Sequence, residues 1–401
     1  MRGRLTYYGA LAGLLLGVVG TVAGAASWSW AYLAGLLGFA LSLALFLPEW
    51  VKLRRPEIAL VPGNPPPRNP GGLADGTVVR LPGANEIAVA WDDLDIALMR
   101  SAATYGFTPV RRRLPRRVGR FAYAILIAIS SSKHIYNGKL VRQDEDLTLN
   151  MVVNGGSLRL SLTDYFSTVC SNYLTGRRVI DRRTGATLVE GTDLFIRDGD
   201  LLPLDENNQA NVIGVSTLAL TTDGKLVLTT QGSQTPSSAG LSAPGGSGSV
   251  DLNDIRGPGS KGQSLVHFIA CAMQRELVEE ASVSYREIEW TEVLGYFRWL
   301  NMGGKPEYVG VTKLKLSSDE LIGRDVRVVE TPFVQRIVFD CTLDLAHLRS
   351  DPESLHALGR AFRQNVSMPL FMSLRALGMA LRRDDALMQK LTAPTESREH
   401  L

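Results

Sequence analysis

The chain contains little cysteine and almost no surplus of charge. Its three cysteines, Cys170, Cys271 and Cys341, are far apart, which argues against a disulfide framework and against a zinc site built on a CxxC pair. The formal net charge is only +3, so the composition is not that of a polybasic protein that binds duplex nucleic acid. Apolar residues make up 45% of the 401 residues, enough for a substantial core in one large domain or in two or three smaller ones.

Charged residues are absent from positions 5–48. This stretch is too long for one membrane span of about 20 residues and suits two. The semi-polar segment 26–30 divides it, so the sequence predicts a transmembrane hairpin within residues 1–55, with helices at 7–25 and 31–47. A secretory signal peptide is the alternative, but it would have a single and shorter apolar run.

Basic residues flank the predicted hairpin, and its tip has none. They are Arg2 and Arg4 before it, and Lys52, Arg54 and Arg55 after it. The positive-inside rule therefore predicts that both termini and the main domain lie in the cytoplasm. Gly9, Gly13 and Gly17 recur at a spacing that lets helices approach closely in lipid, which favours association of the hairpin within or between chains.

Beyond the hairpin, the patterns predict three further regions around a central domain. Residues 56–85, rich in Pro and Gly, predict an extended linker. Residues 86–205 predict an accessory α+β region, in which 147–162 alternate around Asn154-Gly155 and predict a hairpin. Residues 343–401 predict C-terminal helices. Their basic side chains are expected to be solvated: Arg360, Arg363, Arg375, Arg382 and Arg383.

Six arginines are concentrated between Arg111 and Arg120. Such a cluster can bind the phosphates of a ligand or of lipid headgroups. The alternative is a solvated loop, since Pro and Gly break the run and no aromatic residues are interleaved with it.

Residues 206–342 predict a second hairpin followed by a long helix. Residues 212–219 and 225–230 are β-rich and are joined by Asp223-Gly224, a strong turn pattern. A glycine- and serine-rich segment follows, in which Gly245, Gly246 and Gly248 are candidate nucleotide-binding positions and a flexible linker is the alternative. A helix is then predicted over 264–281.

Glutamates interrupt the apolar stripe of this helix. The stripe is Leu265, Ile269 and Ala272, and it continues into Glu276 and Glu280, with Glu279 beside them. Like charges on one helix face repel one another and need a partner. Mg²⁺, which prefers oxygen ligands, is the candidate cofactor. The alternative is a solvated acidic face balanced by Arg275 and nearby lysines.

The hairpin, the glycine-rich segment and the helix sequence R-E-x-x-E-E at 275–280 resemble the Nudix fold. The resemblance implies a catalytic set in which Arg275 steadies three magnesium-binding glutamates, Glu276, Glu279 and Glu280, for water attack on a diphosphate. The chain departs from the family at three positions, which hold Lys261 and Ser282 instead of glycine and His267 instead of glutamate. Whether the domain hydrolyses its ligand therefore stays open.

The predicted order of the domains indicates one group of proteins within the Nudix family. Two transmembrane helices, a linker and a divergent Nudix domain resemble the transmembrane Nudix effectors of bacterial cyclic-oligonucleotide antiphage signalling, the CBASS systems that contain CD-NTases. The implied protein is an inner-membrane effector in contact with membrane lipid. Its Nudix-like domain would sense a cyclic di- or oligonucleotide, and its hairpins would assemble as a homo-oligomer, disrupt the membrane and cause abortive infection.

The alternative function is a membrane-tethered, Mg²⁺-dependent Nudix hydrolase of a nucleoside-diphosphate-linked substrate. His267 in place of the family glutamate favours binding over turnover. The predicted fold class is α+β: the transmembrane hairpin, a cytoplasmic Nudix-like α/β/α sandwich at 206–342, the accessory α+β region and the C-terminal helices.

Overall fold

The computed structural model describes residues 57–130, 137–232, 240–256, 264–324 and 334–393, together with Leu37, Ala40 and Leu43. Contacts between Cα atoms divide the chain into two compact units. One consists of residues 1–59 and 181–186, and within it the Arg182 nitrogen donates to the Glu57 carbonyl at 2.7 Å. The other consists of residues 60–180 and 187–401.

The described residues form an α+β fold. Its strands are β1 (Ile58–Pro62), β2 (Thr77–Arg80), β3 (Ile87–Ala90), β4 (Thr104–Arg111), β5 (Lys139–Gln143), β6 (Ser157–Asp164), β7 (Arg177–Asp181), β8 (Thr187–Glu190), β9 (Ile196–Arg197), β10 (Asp200–Leu201), β11 (Gly214–Leu220), β12 (Lys225–Gln231), β13 (Ser242–Pro244), β14 (Gly246–Ser249), β15 (Ile288–Trp299), β16 (Lys305–Leu314) and β17 (Val334–Thr342).

Its helices are α1 (Asp92–Leu98), α2 (Arg116–Gly119), α3 (Ala122–Ser130), α4 (Leu149–Asn154), α5 (Tyr165–Val169), α6 (Leu252–Arg256), α7 (Leu265–Glu280), α8 (Ser318–Leu321), α9 (Leu345–Ser350), α10 (Met368–Arg383) and α11 (Asp385–Thr392). Short 3₁₀ turns lie at Asn172–Leu174, Thr192–Leu194, Tyr285–Glu287, Leu300–Met302, Leu355–Ala357 and Arg360–Phe362.

A mixed sheet organises the larger unit. Its order is β13-β12-β11-β16-β15-β3-β2, with β14 also paired to β11 and β17 to β12. The β11–β16 pair is parallel and its other pairs are antiparallel. A smaller sheet has the order β4-β6-β5. Because β2 and β3 belong to the large sheet, residues on both sides of the predicted domain boundaries share one core.

Two 16-residue helices cover the two faces of this sheet. Successive residues of β16 alternate between them, as the pleat of a strand requires. Tyr308 joins the core that contains the α7 residue Phe268, whereas Val309 joins the core that contains the α10 residue Phe371. The centre of the unit is therefore a helix–sheet–helix sandwich, and α7 lies buried against one face of the sheet.

The predicted transmembrane hairpin is not supported. Among the described residues no helix combines the length and the apolar character that crossing a bilayer requires. The predicted spans 7–25 and 31–47 lie outside the described residues, apart from Leu37, Ala40 and Leu43, which are helical. The predictions of a transmembrane hairpin and of an inner-membrane localisation are therefore wrong.

Three further expectations differ from the structure. The predicted linker at 56–85 contains β1 and β2, and Val79 is only 4% exposed because β2 pairs with β3 in the large sheet. Residues 147–162 form α4 and β6 instead of a hairpin. Arg375, expected to be solvated, is buried between Asp92, at 2.8 Å from its Nη2, and Glu353, at 3.0 Å from its Nε.

Candidate functional site: the carboxylates of helix α7

Helix α7 begins after Ser264, whose hydroxyl accepts a hydrogen bond from the His267 nitrogen. Such an N-cap satisfies a backbone donor that has no partner within the helix. The helix then runs to Glu280, as the apolar spacing predicts, and its buried face includes Leu265, Ile269 and Ala272. Glu276 and Glu280 extend this face and are only 8% and 6% exposed.

Arg275 is the centre of the site. Its Nε and Nη2 donate to the two carboxylate oxygens of Asp254 at 2.7 and 2.9 Å, a bidentate pair. Its Nη1 lies 2.7 Å from Glu279 Oε2, and its Nη2 lies 3.0 Å from Glu276 Oε1 and from the Ser249 carbonyl. One guanidinium thus holds three carboxylates and the end of β14.

Burial and charge act against each other in this cluster. Burial raises the pKa of Glu276 above its ordinary value, although Arg275 opposes the shift. Burial would lower the pKa of Arg275, but Glu276, Asp254 and Glu279 outweigh it and raise that pKa. Three carboxylates around one guanidinium leave a surplus of negative charge that a proton on Glu276 or an added cation would reduce.

Two of the predicted glycines, Gly246 and Gly248, lie in β14, the strand that covers α7, and Gly245 directly precedes it. A Cβ atom at Gly248 would overlap the Glu276 carboxyl group, and one at Gly246 would lie 2.9 Å from Leu277 Cα. The Ser247 nitrogen, between them, donates to Glu280 Oε2 at 3.1 Å. Gly245 approaches β12, where its nitrogen donates to the Val227 carbonyl at 3.0 Å. The contacts of Gly246 and Gly248 are therefore those of close packing between β14 and α7.

The three positions that depart from the Nudix pattern have different environments. His267 is exposed, with its Nε2 3.7 Å from Cys271 Sγ. Ser282 has a φ of 54°, a left-handed conformation that favours glycine, the residue at this position in the family pattern. Lys261 lies outside the described residues.

No protein-family model matches the chain, and no curated protein sequence matches it. The resemblance to the Nudix family therefore rests on the residues of 275–280 and on their surroundings.

The donor set fits a hard cation in its chemistry, because Glu276, Glu279 and Glu280 supply only oxygen ligands. Its arrangement is different from that of a metal centre. Arg275 occupies oxygens of Glu276 and Glu279, and Glu280 accepts a bond from β14. Within the described ranges, no three His, Cys, Asp or Glu side chains are grouped so that they could hold a metal ion.

Sequence reasoning missed Asp254, which holds Arg275 from helix α6. Asp254 is 8% exposed, and its Oδ2 also accepts a hydrogen bond from the Asp251 nitrogen at 2.9 Å. No local pattern links a residue 21 positions upstream to the R-E-x-x-E-E motif. The one available indication was that a buried arginine needs a carboxylate partner.

Proposed function

We propose that this protein is a nucleotide-recognising effector of the cyclic-oligonucleotide antiphage type, whose Nudix-like region binds its ligand without turning it over. The proposal takes its ligand class from the resemblance of 275–280 to the Nudix helix. The observation that carries the choice of binding over turnover is that an oxygen of each of the three glutamates already has a partner within the protein. Arg275, which is bound to Asp254, contacts two of them, Glu276 and Glu279. The third, Glu280, accepts a hydrogen bond from β14.

Position 267 supports the same choice. The Nudix pattern has a glutamate there, two turns before the arginine, and this chain has a histidine. Its ring faces Cys271 on the exposed side of α7, away from the buried face that carries Glu276. A neutral imidazole supplies neither the charge nor the oxygen ligand of a carboxylate.

The test measures binding and turnover on the same full-length protein. A panel of cyclic di- and trinucleotides is screened by thermal denaturation, because a ligand that binds only the folded state raises the melting temperature. We expect one member to raise it and to be recovered unchanged by chromatography. Light scattering of the same samples tests whether the ligand drives the chain to assemble. No shift with any cyclic nucleotide would contradict the proposal.

A second candidate is an Mg²⁺-dependent hydrolase of a nucleoside-diphosphate-linked substrate. The observation that favours it is the surplus of buried carboxylate over the single guanidinium of Arg275. Glu276, Glu279 and Glu280 are the residues that would hold the cation. Bound Mg²⁺ would neutralise phosphate oxygens and activate water.

Magnesium titration separates the two candidates without requiring a substrate. A hydrolase site predicts that Mg²⁺ raises the melting temperature of the wild type and not that of Glu279→Gln. The control is Glu206→Gln, which removes a carboxylate that is 58% exposed and distant in sequence from α7. Turnover of nucleoside-diphosphate compounds at an ordinary enzymatic rate, lost in Glu279→Gln alone, would replace the sensor proposal with the hydrolase.

A further inference from the structure

A cavity of about 160 Å³ lies beside the arginine cluster and apart from helix α7. Its walls come from the segment that follows β4, from β5, from the β6–α5 junction and from the segment that precedes β11. Pockets that enclose a drug-sized ligand are larger, at about 300–1,000 Å³. The volume of this cavity suits a single tetrahedral oxyanion and is too small for a whole nucleotide.

Three guanidinium groups line this cavity: Arg112, Arg113 and Arg142. No acidic side chain is among the described residues that line it. Arg113 is exposed and forms no ion pair with any residue in the described ranges, and Arg112 donates to the Asp205 carbonyl at 3.2 Å. The lining therefore carries a positive charge that the protein leaves mostly uncompensated.

Arg142 is the buried member of the three, with a side chain that is 1% exposed. It donates to Asp144 Oδ1 at 2.7 Å and to the carbonyls of Gln209 and Leu204 at 2.8 and 3.0 Å. These bonds use fewer than all of its N–H donors. Burial and the repulsion of Arg112 lower its pKa to about 10, so it remains a cation at neutral pH. A second negative group would relieve the repulsion between the two arginines.

A buried amide supplies an independent indication. Asn207 lines the cavity with 0% exposure, and its Nδ2 has no hydrogen-bond partner within the described structure. Leaving a buried donor without a partner costs free energy, so such groups usually bind a ligand or water. Thr163 and Ser167 line the same cavity, and their side chains carry hydroxyl groups that can donate. The side-chain amide of Gln209, which also has no hydrogen-bond partner within the described structure, lies against Gly303.

From these contacts we infer that the cavity between Arg113, Arg142 and Asn207 is a binding site for the phosphate group of a small soluble molecule. Guanidinium groups match the geometry of phosphate oxygens, and amide and hydroxyl donors complete the set. The exposed side of Arg113 is where the rest of the ligand would leave the cavity. The inference does not rest on the proposed function, because no residue of α7 lines the cavity.

The experiment uses the full chain with inorganic phosphate, pyrophosphate and adenosine monophosphate as probes, measured by calorimetry at constant ionic strength. We expect saturable binding of at least one probe. Arg113→Gln should weaken it about tenfold or more, as expected for the loss of a charge-assisted contact. Asn207→Asp, which puts a negative charge into the cavity, should weaken it at least as much.

Arg116→Gln is the matched control, because it removes the same charge from the same cluster but does not line this cavity. It should leave the affinity within about twofold of the wild type, since an exposed charge outside the cavity is screened by salt. Equal losses in Arg113→Gln and Arg116→Gln would replace the site with general attraction to a basic surface. Binding to vesicles that contain phosphatidic acid, with none of the soluble probes bound, would also overturn the inference. A variant counts only if its circular dichroism and melting temperature match those of the wild type.

Discussion

Asp95 Oδ1 accepts a hydrogen bond from the backbone nitrogen of Tyr296 at 2.8 Å, which ties α1 to the middle of β15. The two residues are 201 positions apart in sequence. Asp95 is 6% exposed, and burial raises its pKa to about 8, although the hydrogen bond from Tyr296 and the charge of Arg375 oppose the shift. Burial therefore outweighs the hydrogen bond, and the carboxyl group of Asp95 is protonated at neutral pH.

The first prediction is that the protein loses stability as the pH rises through neutrality. An unfolded aspartate ionises near pH 3.8, whereas folded Asp95 ionises near pH 8, so its contribution is complete below about pH 4 and is lost on rising to about pH 8. Asp95→Asn removes this titration. Between pH 5 and 8.5 we expect the variant to lose less stability than the wild type, by an amount on the order of a few kcal/mol.

Urea denaturation at each pH provides the measurement. Asp93→Asn is the control, because Asp93 is an exposed residue of the same helix. Parallel pH profiles for Asp95→Asn and the wild type would show that Asp95 ionises in the fold at its ordinary pKa.

Local sequence patterns predict the elements whose determinants are adjacent in the chain. The turn at Asp223-Gly224 joins β11 and β12 as expected, because Gly224 has a φ of 74° that only glycine adopts readily. The same kind of dipeptide at Asn154-Gly155 does not make a hairpin. There Thr148 caps a helix at its start, and Gly155, with a φ of 80°, ends it. Glycine in a left-handed conformation serves both structures, so the dipeptide alone does not distinguish them.

The parts of the site that sequence reasoning missed depend on contacts between distant segments. Asp254 becomes the partner of Arg275 only when α6 packs beside α7. Arg142 and Asn207 meet at one cavity although 65 positions separate them in the sequence. Arg375 is buried because Asp92 and Glu353 come to it from other elements, and no spacing within α10 indicates this.

The second prediction concerns Arg275. Arg275→Ala leaves Asp254 and Glu276 buried without their cationic partner, which costs about 3–5 kcal/mol in proteins of known energetics. We expect a loss of that size in the free energy of unfolding at pH 7.5. Lowering the pH should restore part of the lost stability, because protonation of the carboxylates relieves the uncompensated charge.

The control is Arg286→Ala, at an exposed arginine nearby, which should change the stability by less than about 0.5 kcal/mol. Similar losses in both variants would mean that the carboxylates do not depend on Arg275.

The third prediction tests the close packing of β14 on α7. Gly248→Ala places a methyl group against the Glu276 carboxyl, which Arg275 prevents from moving freely. We expect a destabilisation of about 1–3 kcal/mol, as for other overpacked positions. Gly106→Ala is the control, because it is also within a strand and its nearest neighbour, Ser157 Oγ, would be at an ordinary 3.6 Å. Equal effects of the two substitutions on thermal denaturation would place Gly248 away from Glu276.

The last prediction concerns the end of α7, where Ser282 stands at a position that is glycine in the Nudix pattern. Its φ of 54° strains a residue with a Cβ atom by about 1 kcal/mol, and Arg324 Nη1 holds its carbonyl at 2.9 Å, so the backbone is fixed in this conformation. Comparing Ser282→Gly with Ser282→Ala isolates the strain, because both variants lose the serine hydroxyl. We expect the glycine variant to be the more stable of the two in urea denaturation. The difference in the free energy of unfolding should be somewhat below about 1 kcal/mol, because glycine gives the unfolded chain more entropy than alanine does. An alanine variant as stable as the glycine variant would show that the backbone leaves the left-handed region at no cost, and the parallel with the Nudix glycine would then have no structural basis.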